Sequence, residues 1–227
     1  MKKILFLLAV FFGAAILNAS HAGADGFPQY TRTDYPTNGG AAFMHVGTEN
    51  SDTYPDLIVI SPQGVINVLL GGPNAVFGTA VVTITGISII RNYHTSLEPI
   101  IADDFNNDGY TDICIKDTLF VATGDGGFSE PKSLGIENLR TITSADMNRD
   151  GNKDLIAIVI IYTSPTTRAA ELRTYFGNGD GTFQEPATTG ILMIDDSALY
   201  HIFHAGDFTG DGVPDLVVRH TYIASNK

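Results

Sequence analysis

Four apolar runs punctuate this chain, and each stands immediately behind a polar, acid-rich loop: Leu57-Ile-Val-Ile60, Ile113-Cys-Ile115, Leu155-Ile-Ala-Ile-Val-Ile-Ile161 and Leu216-Val-Val218. The runs are continuous rather than alternating and rich in β-branched residues. That combination predicts strands covered on both faces. A second strand is expected after each run, ending in a Gly-rich turn with Phe behind it. The turns are Gly124-Asp-Gly-Gly-Phe128, Gly179-Asp-Gly-Thr-Phe183 and a looser Gly71-Gly-Pro-Asn-Ala-Val-Phe77. Asp-Gly between apolar segments is a strong hairpin signal. A further strand then approaches the next loop through small residues, as in Ile101-Ala102 and His204-Ala205-Gly206.

Each unit thus reads as four strands: one before the polar loop, one after it, then a Gly-turn hairpin. Units start at 48, 104, 146 and 207, at spacings of 56, 42 and 61 residues. Four-stranded units in series predict an all-β fold, a β-propeller of about four repeats with the last one incomplete. The longest unit carries a polar insertion near 163–168, expected as a surface loop. Gly23-Ala-Asp25-Gly26-Phe27-Pro28 resembles the turn before a fourth strand, so the following segment is expected to add an outer strand to the last unit. Thr221-Tyr222-Ile223 reads as a stub of that unit's missing strand; the alternatives are a truncated chain or closure against another copy.

The loops carry the candidate chemistry. Three of them, Asp104–Asp112, Asp146–Asp154 and Asp207–Asp215, place side-chain oxygens at positions 1, 3, 5 and 9, with Gly at 6. The side-chain donors are Asp104, Asn106, Asp108 and Asp112; Asp146, Asn148, Asp150 and Asp154; and Asp207, Thr209, Asp211 and Asp215. Position 7 offers a main-chain carbonyl, from Tyr110, Asn152 and Val213. Oxygens at alternate residues suit calcium, which takes six to eight hard donors at about 2.3–2.6 Å. Three carboxylates within about 5 Å repel by roughly 3 kcal/mol per pair at an effective dielectric near 20, so a cation is expected in each loop. Three Ca2+ ions are expected in all, the weakest at the third loop, where Thr209 is a neutral ligand. A fourth copy, Thr48–Asp56, keeps Asn50, Asp52 and Asp56 but has Thr48 at position 1 and Thr53 at position 6. There the turn is expected to survive and metal binding to be weak or lost.

Charge and targeting narrow the setting. Residues 1–22 combine Lys2 and Lys3, an apolar run from Ile4 to Leu17 and a small-residue end, Ala19-Ser-His-Ala22. This is the pattern of a cleaved export signal, with residues 23–227 as the repeat domain and a secreted or periplasmic location. Its removal takes two of the 13 Lys and Arg and none of the 25 acids, so the mature charge is −14. Such acidity argues against nucleic acid as a partner, and no membrane insertion is expected of the mature chain. Cys114 is the single cysteine, so no internal disulfide forms, and its apolar strand predicts a buried inert thiol.

The Asp-x-Asn-x-Asp-Gly-x-x-Asp loops and Gly-Asp-Gly-x-Phe turns resemble FG-GAP/VCBS-type repeats, the repeats of integrin-α propellers and many exported bacterial proteins. The resemblance covers roughly residues 23–220. It implies one calcium per intact loop, on one propeller face, and a binding or adhesion role toward protein or carbohydrate. The alternative is a polysaccharide-active enzyme or accessory domain with chemistry in the interblade loops. No Gly-x-Ser-x-Gly elbow, His-Glu-x-x-His or phosphate loop is present, which favours the non-enzymatic reading. Oligomeric state is left open by the residues.

Overall fold

Polar loop and apolar run alternate along the chain, and the backbone follows them. The computed structural model describes residues 5–10, 13–22, 28–87, 99–162, 168–192 and 198–222. Three four-stranded antiparallel sheets account for most of it. Upstream lie β1 (Leu5–Val10), β2 (Gly13–Ala22) and β3 (Pro28–Pro36); the first of the three sheets holds β4 (Phe43–Gly47), β5 (Asp56–Ile60), β6 (Val65–Leu69) and β7 (Val81–Ile84). The second holds β8 (Ile100–Asp103), β9 (Asp112–Ile115), β10 (Thr118–Phe120) and β11 (Lys132–Ser133). The third holds β12 (Leu139–Ala145), β13 (Asp154–Tyr162), β14 (Arg168–Tyr175) and β15 (Ala187–Leu192). β16 (Ala198–Gly206) pairs with β17 (Asp215–Tyr222) as a two-stranded sheet. In each case the acidic loop joins the first two strands, as the sequence predicts. The helical content of the described residues is one 3-10 turn, Pro73–Ala75.

The continuous apolar runs become the most buried strands. All five residues of β5 and all four of β9 are buried, as are the first six of β13. The chain forms two compact units, one of Met1–Leu97 with Ala122–Phe128 and one of Glu98–Val121 with Ser129–Lys227. In the first, Leu57, Val59 and Leu69 form a core flanked by Tyr35, Met44 and Phe77. In the second, Phe105, Leu119, Ile142 and Leu155 anchor one cluster, and Ile156 and Ile158 pack toward Ala205 and Leu216 in another.

The third and fourth strands of each full sheet are joined through the Gly–Phe turns. Isolated bridges close these turns: Gly71 with Phe77, Ala122 with Phe128, and Gly177 with Phe183. Gly71 and Gly177 admit no side chain, since an added Cβ would stand 2.1 Å from the Pro55 carbonyl oxygen and 2.2 Å from that of Lys153.

The two ends of the described chain are both paired strands. β1 (Leu5–Val10) and β2 (Gly13–Ala22), the segment read as an export signal, form a three-stranded antiparallel sheet with β3 (Pro28–Pro36). β3 pairs antiparallel with β2, from Gly13 opposite Pro36 to Ala22 opposite Pro28. Thr221 and Tyr222 are no separate stub: they continue β17 opposite Leu199 and Ala198. Residues 23–27 and the expected insertion loop at 163–167 lie outside the described residues.

Candidate functional site

The three intact loops share one hydrogen-bond pattern. The position-1 carboxylate accepts backbone N–H groups from across the turn. Asp104 takes Asp108 N at 3.2 Å and Gly109 N at 2.9 Å, and Asp146 takes Asp150 N at 3.1 Å and Gly151 N at 2.9 Å. Asp207 takes Gly210 N at 2.6 Å, Asp211 N at 3.2 Å and Gly212 N at 2.8 Å. The position-5 carboxylates of Asp108, Asp150 and Asp211 each accept the position-7 N–H at 2.8 Å. Asn106 and Asn148 accept the position-5 N–H at 3.2 and 3.0 Å and donate to the position-5 carboxylate at 2.8 and 2.9 Å. Thr209 makes no such side-chain bridge; its own N–H goes to Asp215 Oδ2 at 3.0 Å.

The backbone turn depends on two left-handed residues, not one. Position 6 is Gly109, Gly151 and Gly212, at φ of 88°, 90° and 81°. Position 4 is left-handed too: Asn107, Arg149 and Gly210, at φ of 59°, 63° and 78°. Sequence reasoning found the first and missed the second. Asn and Gly tolerate this region; Arg149 adopts it at a cost, and its Nη2 donates to the Asp211 carbonyl of the next loop at 2.8 Å. Asn107 similarly donates to Asn152 Oδ1 at 2.7 Å. Adjacent intact loops are thus tied together by their position-4 side chains.

Position 9 plays a part that spacing alone did not reveal. Asp56, Asp112 and Asp154 are fully buried. Their Oδ2 atoms accept the position-2 N–H of their own loops, from Glu49, Phe105 and Met147, at 2.6, 2.9 and 2.8 Å. Oδ1 of Asp56 and Asp154 reaches the Gly-turn and accepts Gly71 N at 2.7 Å and Gly177 N at 2.9 Å. Asp215 accepts Phe208 N and Thr209 N through Oδ2, and it is only half-buried. Asp56 and Asp154 therefore pin their acidic loops to the Gly-turns of their own repeats.

Position 2 provides the link onward. The Glu49 carbonyl accepts Gly126 N at 3.0 Å, and the Phe105 carbonyl accepts Gly181 N at 3.1 Å. Gly126 and Gly181 belong to the turns of the following repeats. The Phe105 ring stacks edge-on against Phe183, with centroids 5.8 Å apart.

The copy at 48–56 keeps half of this pattern. Asn50 Oδ1 accepts Asp52 N at 2.9 Å and Asp52 Oδ1 accepts Tyr54 N at 2.7 Å, so the central turn is intact. With Thr48 at position 1 there is no carboxylate to gather the later N–H groups. Neither Ser51 nor Thr53 is left-handed, so the backbone takes a different path.

Electrostatics separate the positions. The Asp150 carboxyl lies below its ordinary range, held there by the N–H of Asn152 and the amide of Asn148. Burial pushes the Asp154 carboxyl up, opposed by the N–H groups of Gly177 and Met147 and reinforced by the charges of Asp150 and Asp146. Among the described residues no three His, Cys, Asp or Glu side chains converge as a ready-made metal cage. The carboxylates instead lean onto N–H groups. A carboxylate has about four lone-pair sites, so one to three N–H bonds leave capacity for a cation. The donor set is all oxygen, which fits a hard ion such as calcium.

Outside the loops, His45 and His204 each stand three residues before position 1 of a loop. Each packs on an aromatic neighbour: His45 is stacked on Phe43 and His204 lies edge-on to Phe208. Cys114 is fully buried, and burial, with the charge of Asp117, pushes its thiol up to about 12.

A family model described as FG-GAP-like repeat matches residues 104–157 and 158–218, just over half of the 227 residues. The matched stretches contain all three intact loops, and the impaired copy at 48–56 lies outside them. A comparison with curated proteins found no match.

Proposed function

Because this chain belongs to the FG-GAP-like repeat family, we propose that it is an exported, calcium-braced β-propeller whose sheets are blades and whose role is to bind a protein or glycan. One observation carries the calcium reading: three loops present the same Asp/Asn or Thr/Asp/Asp oxygen set on the same backbone turn. Asp104, Asn106, Asp108 and Asp112 would hold one ion, with the Tyr110 carbonyl. Asp146, Asn148, Asp150 and Asp154 would hold a second, with the Asn152 carbonyl. Asp207, Thr209, Asp211 and Asp215 would hold the third, with the Val213 carbonyl. When bound, each ion supplies charge neutralisation and rigidity, and the ligand is met elsewhere.

Position 9 links this chemistry to the fold. An ion drawing on Asp112 or Asp154 tightens a carboxylate that already braces the loop, and Asp154 also braces the Gly-turn. Each blade corner would then stiffen in a calcium-rich exterior, where sites of this type operate at about 0.1–1 mM. At ten times its dissociation constant, one ion adds about 1.4 kcal/mol of stability.

The test has two readouts. EDTA should lower the melting temperature by several degrees, and millimolar calcium should restore it, with magnesium restoring less because it demands tighter octahedral geometry. Capture of the protein on immobilised glycans or cell surfaces should fall in parallel. A melt indifferent to EDTA and calcium removes the calcium reading, and turnover on a polysaccharide panel removes the non-enzymatic one.

A further inference from the structure

Two cavities occupy the same place in the repeat. One, of about 610 Å³, lies against β6 and is lined by Tyr35, Asn38, Asn67 and Phe77 among others. The other, of about 620 Å³, lies against β14, with Lys132, Arg173, Tyr175, Phe183 and Gln184 in its wall. Both fall within the range of about 300–1,000 Å³ usual for small-ligand sites. Strand register shows the equivalence. Leu57 faces Leu69 and Val59 faces Asn67, just as Leu155 faces Tyr175 and Ala157 faces Arg173. In the repeat between them Ile115 faces Thr118. One floor position thus carries Asn67, Thr118 and Arg173 in successive repeats.

The two floors are used differently. Asn67 is fully buried and spent on the backbone: it accepts Asn38 N at 2.8 Å and donates to the carbonyls of Val59 and Val65 at 3.2 and 3.3 Å. Arg173 is held as a fork. Its Nε and Nη2 both donate to one oxygen of Glu171, at 2.8 and 2.6 Å. Tyr175 hydrogen-bonds it as well; burial pulls the guanidinium down, but these partners outweigh that and raise it. Glu171 stands two residues along β14 and is not part of the cavity wall, so it positions the guanidinium without closing the site. A guanidinium has five N–H donors, of which Glu171 engages two.

The wall gathers two cations in an acidic chain. Lys132 and Arg173 share it with one acid, Glu185, while Glu171 pairs with Arg173 from behind the wall and Asp180 lies within reach of the Lys132 charge. At physiological ionic strength the Debye length is about 8 Å, so acids elsewhere on the exposed surface are largely screened from a bound anion. The remaining wall is mixed: Leu134 and Phe183 are apolar, while Ser133, Thr182 and Gln184 already donate to Asp117, Asp180 and Asn178 and keep acceptor capacity for a ligand's hydroxyls. A ligand that satisfies this wall carries a carboxylate, a compact body and several hydroxyls. Arginine favours carboxylate because its fork matches the two oxygens.

We propose that this cavity is a subsite for a carboxylate-bearing sugar, its carboxylate on Arg173 and Lys132 and its ring against the wall of Leu134 and Phe183. This deepens the reading of the protein as a binding module and rests on its glycan form. The Asn67 cavity, neutral at its floor, is not assigned this ligand.

The experiment is calorimetric titration of the full-length protein in millimolar calcium with trigalacturonate and, separately, with its methyl ester. The acid should bind saturably, and the ester at least tenfold more weakly. Arg173→Gln should weaken binding of the acid at least tenfold. That change leaves Glu171 half-buried without its partner, so Lys132→Gln supplies the second variant. Lys132 is exposed, and its loss should weaken binding about threefold with an unchanged melt. Absence of saturable binding, equal binding of the ester, or parent-like binding by both variants overturns the proposal. A melt that responds to calcium without any trigalacturonate binding overturns this cavity assignment alone and leaves the bracing role standing.

Discussion

Asp154→Ala is expected to destabilise the protein by about 3–5 kcal/mol, even in the presence of a chelator. The residue is fully buried and accepts Met147 N at 2.8 Å and Gly177 N at 2.9 Å, so truncation strands two donors. Each stranded donor costs about 1–3 kcal/mol, and lost packing around a buried side chain adds to that. For a chain of this length the melting temperature should fall by roughly 10 °C. Working in chelator matters, because it separates the brace from any ion the carboxylate holds. Asp52→Ala is the internal control: it sits in an exposed loop and its removal should change stability by no more than about 0.5 kcal/mol. Thermal melts of both variants decide the point. Equal melts would show that position 9 does not join loop to Gly-turn in solution.

The second large effect is expected at the joint between repeats. Phe105 is 1% exposed and stacks on Phe183, while its carbonyl accepts Gly181 N. Phe105→Ala should cost about 3–5 kcal/mol, the usual range for emptying a buried aromatic site. Phe208 holds the same loop position in the last copy but is 59% exposed. Phe208→Ala should therefore stay within about 0.5 kcal/mol of the parent. Chemical denaturation of the two variants side by side measures the contrast. Similar losses for both, or no loss for Phe105→Ala, would contradict the packing described.

Much of the architecture was written in residue spacing. Acidic loop, apolar run, Gly–Phe turn and small-residue approach recur in fixed order, and the sheets formed by β4–β7, β8–β11 and β12–β15 follow that order. What spacing could not show were bonds between distant backbone and side-chain atoms. Asp154 and Gly177 lie 23 residues apart, and neither carries a periodic signature of the contact. The same holds for the carbonyls of Glu49 and Phe105, since a main-chain acceptor is invisible in residue type. The left-handed position 4 left a partial trace: Asn107 and Gly210 suit that region, but Arg149 does not, and the pattern was masked by it. In the candidate site the spacing showed the loop carboxylates and amides, but not the bracing role of Asp56 and Asp154 at position 9.

Calcium stoichiometry tests the central claim most directly. Isothermal titration of the chelator-stripped protein should report three sites, falling to two in Asp108→Ala and in Asp150→Ala and staying at three in Asp52→Ala. No calcium uptake, or a stoichiometry that ignores Asp108 and Asp150, would contradict the account.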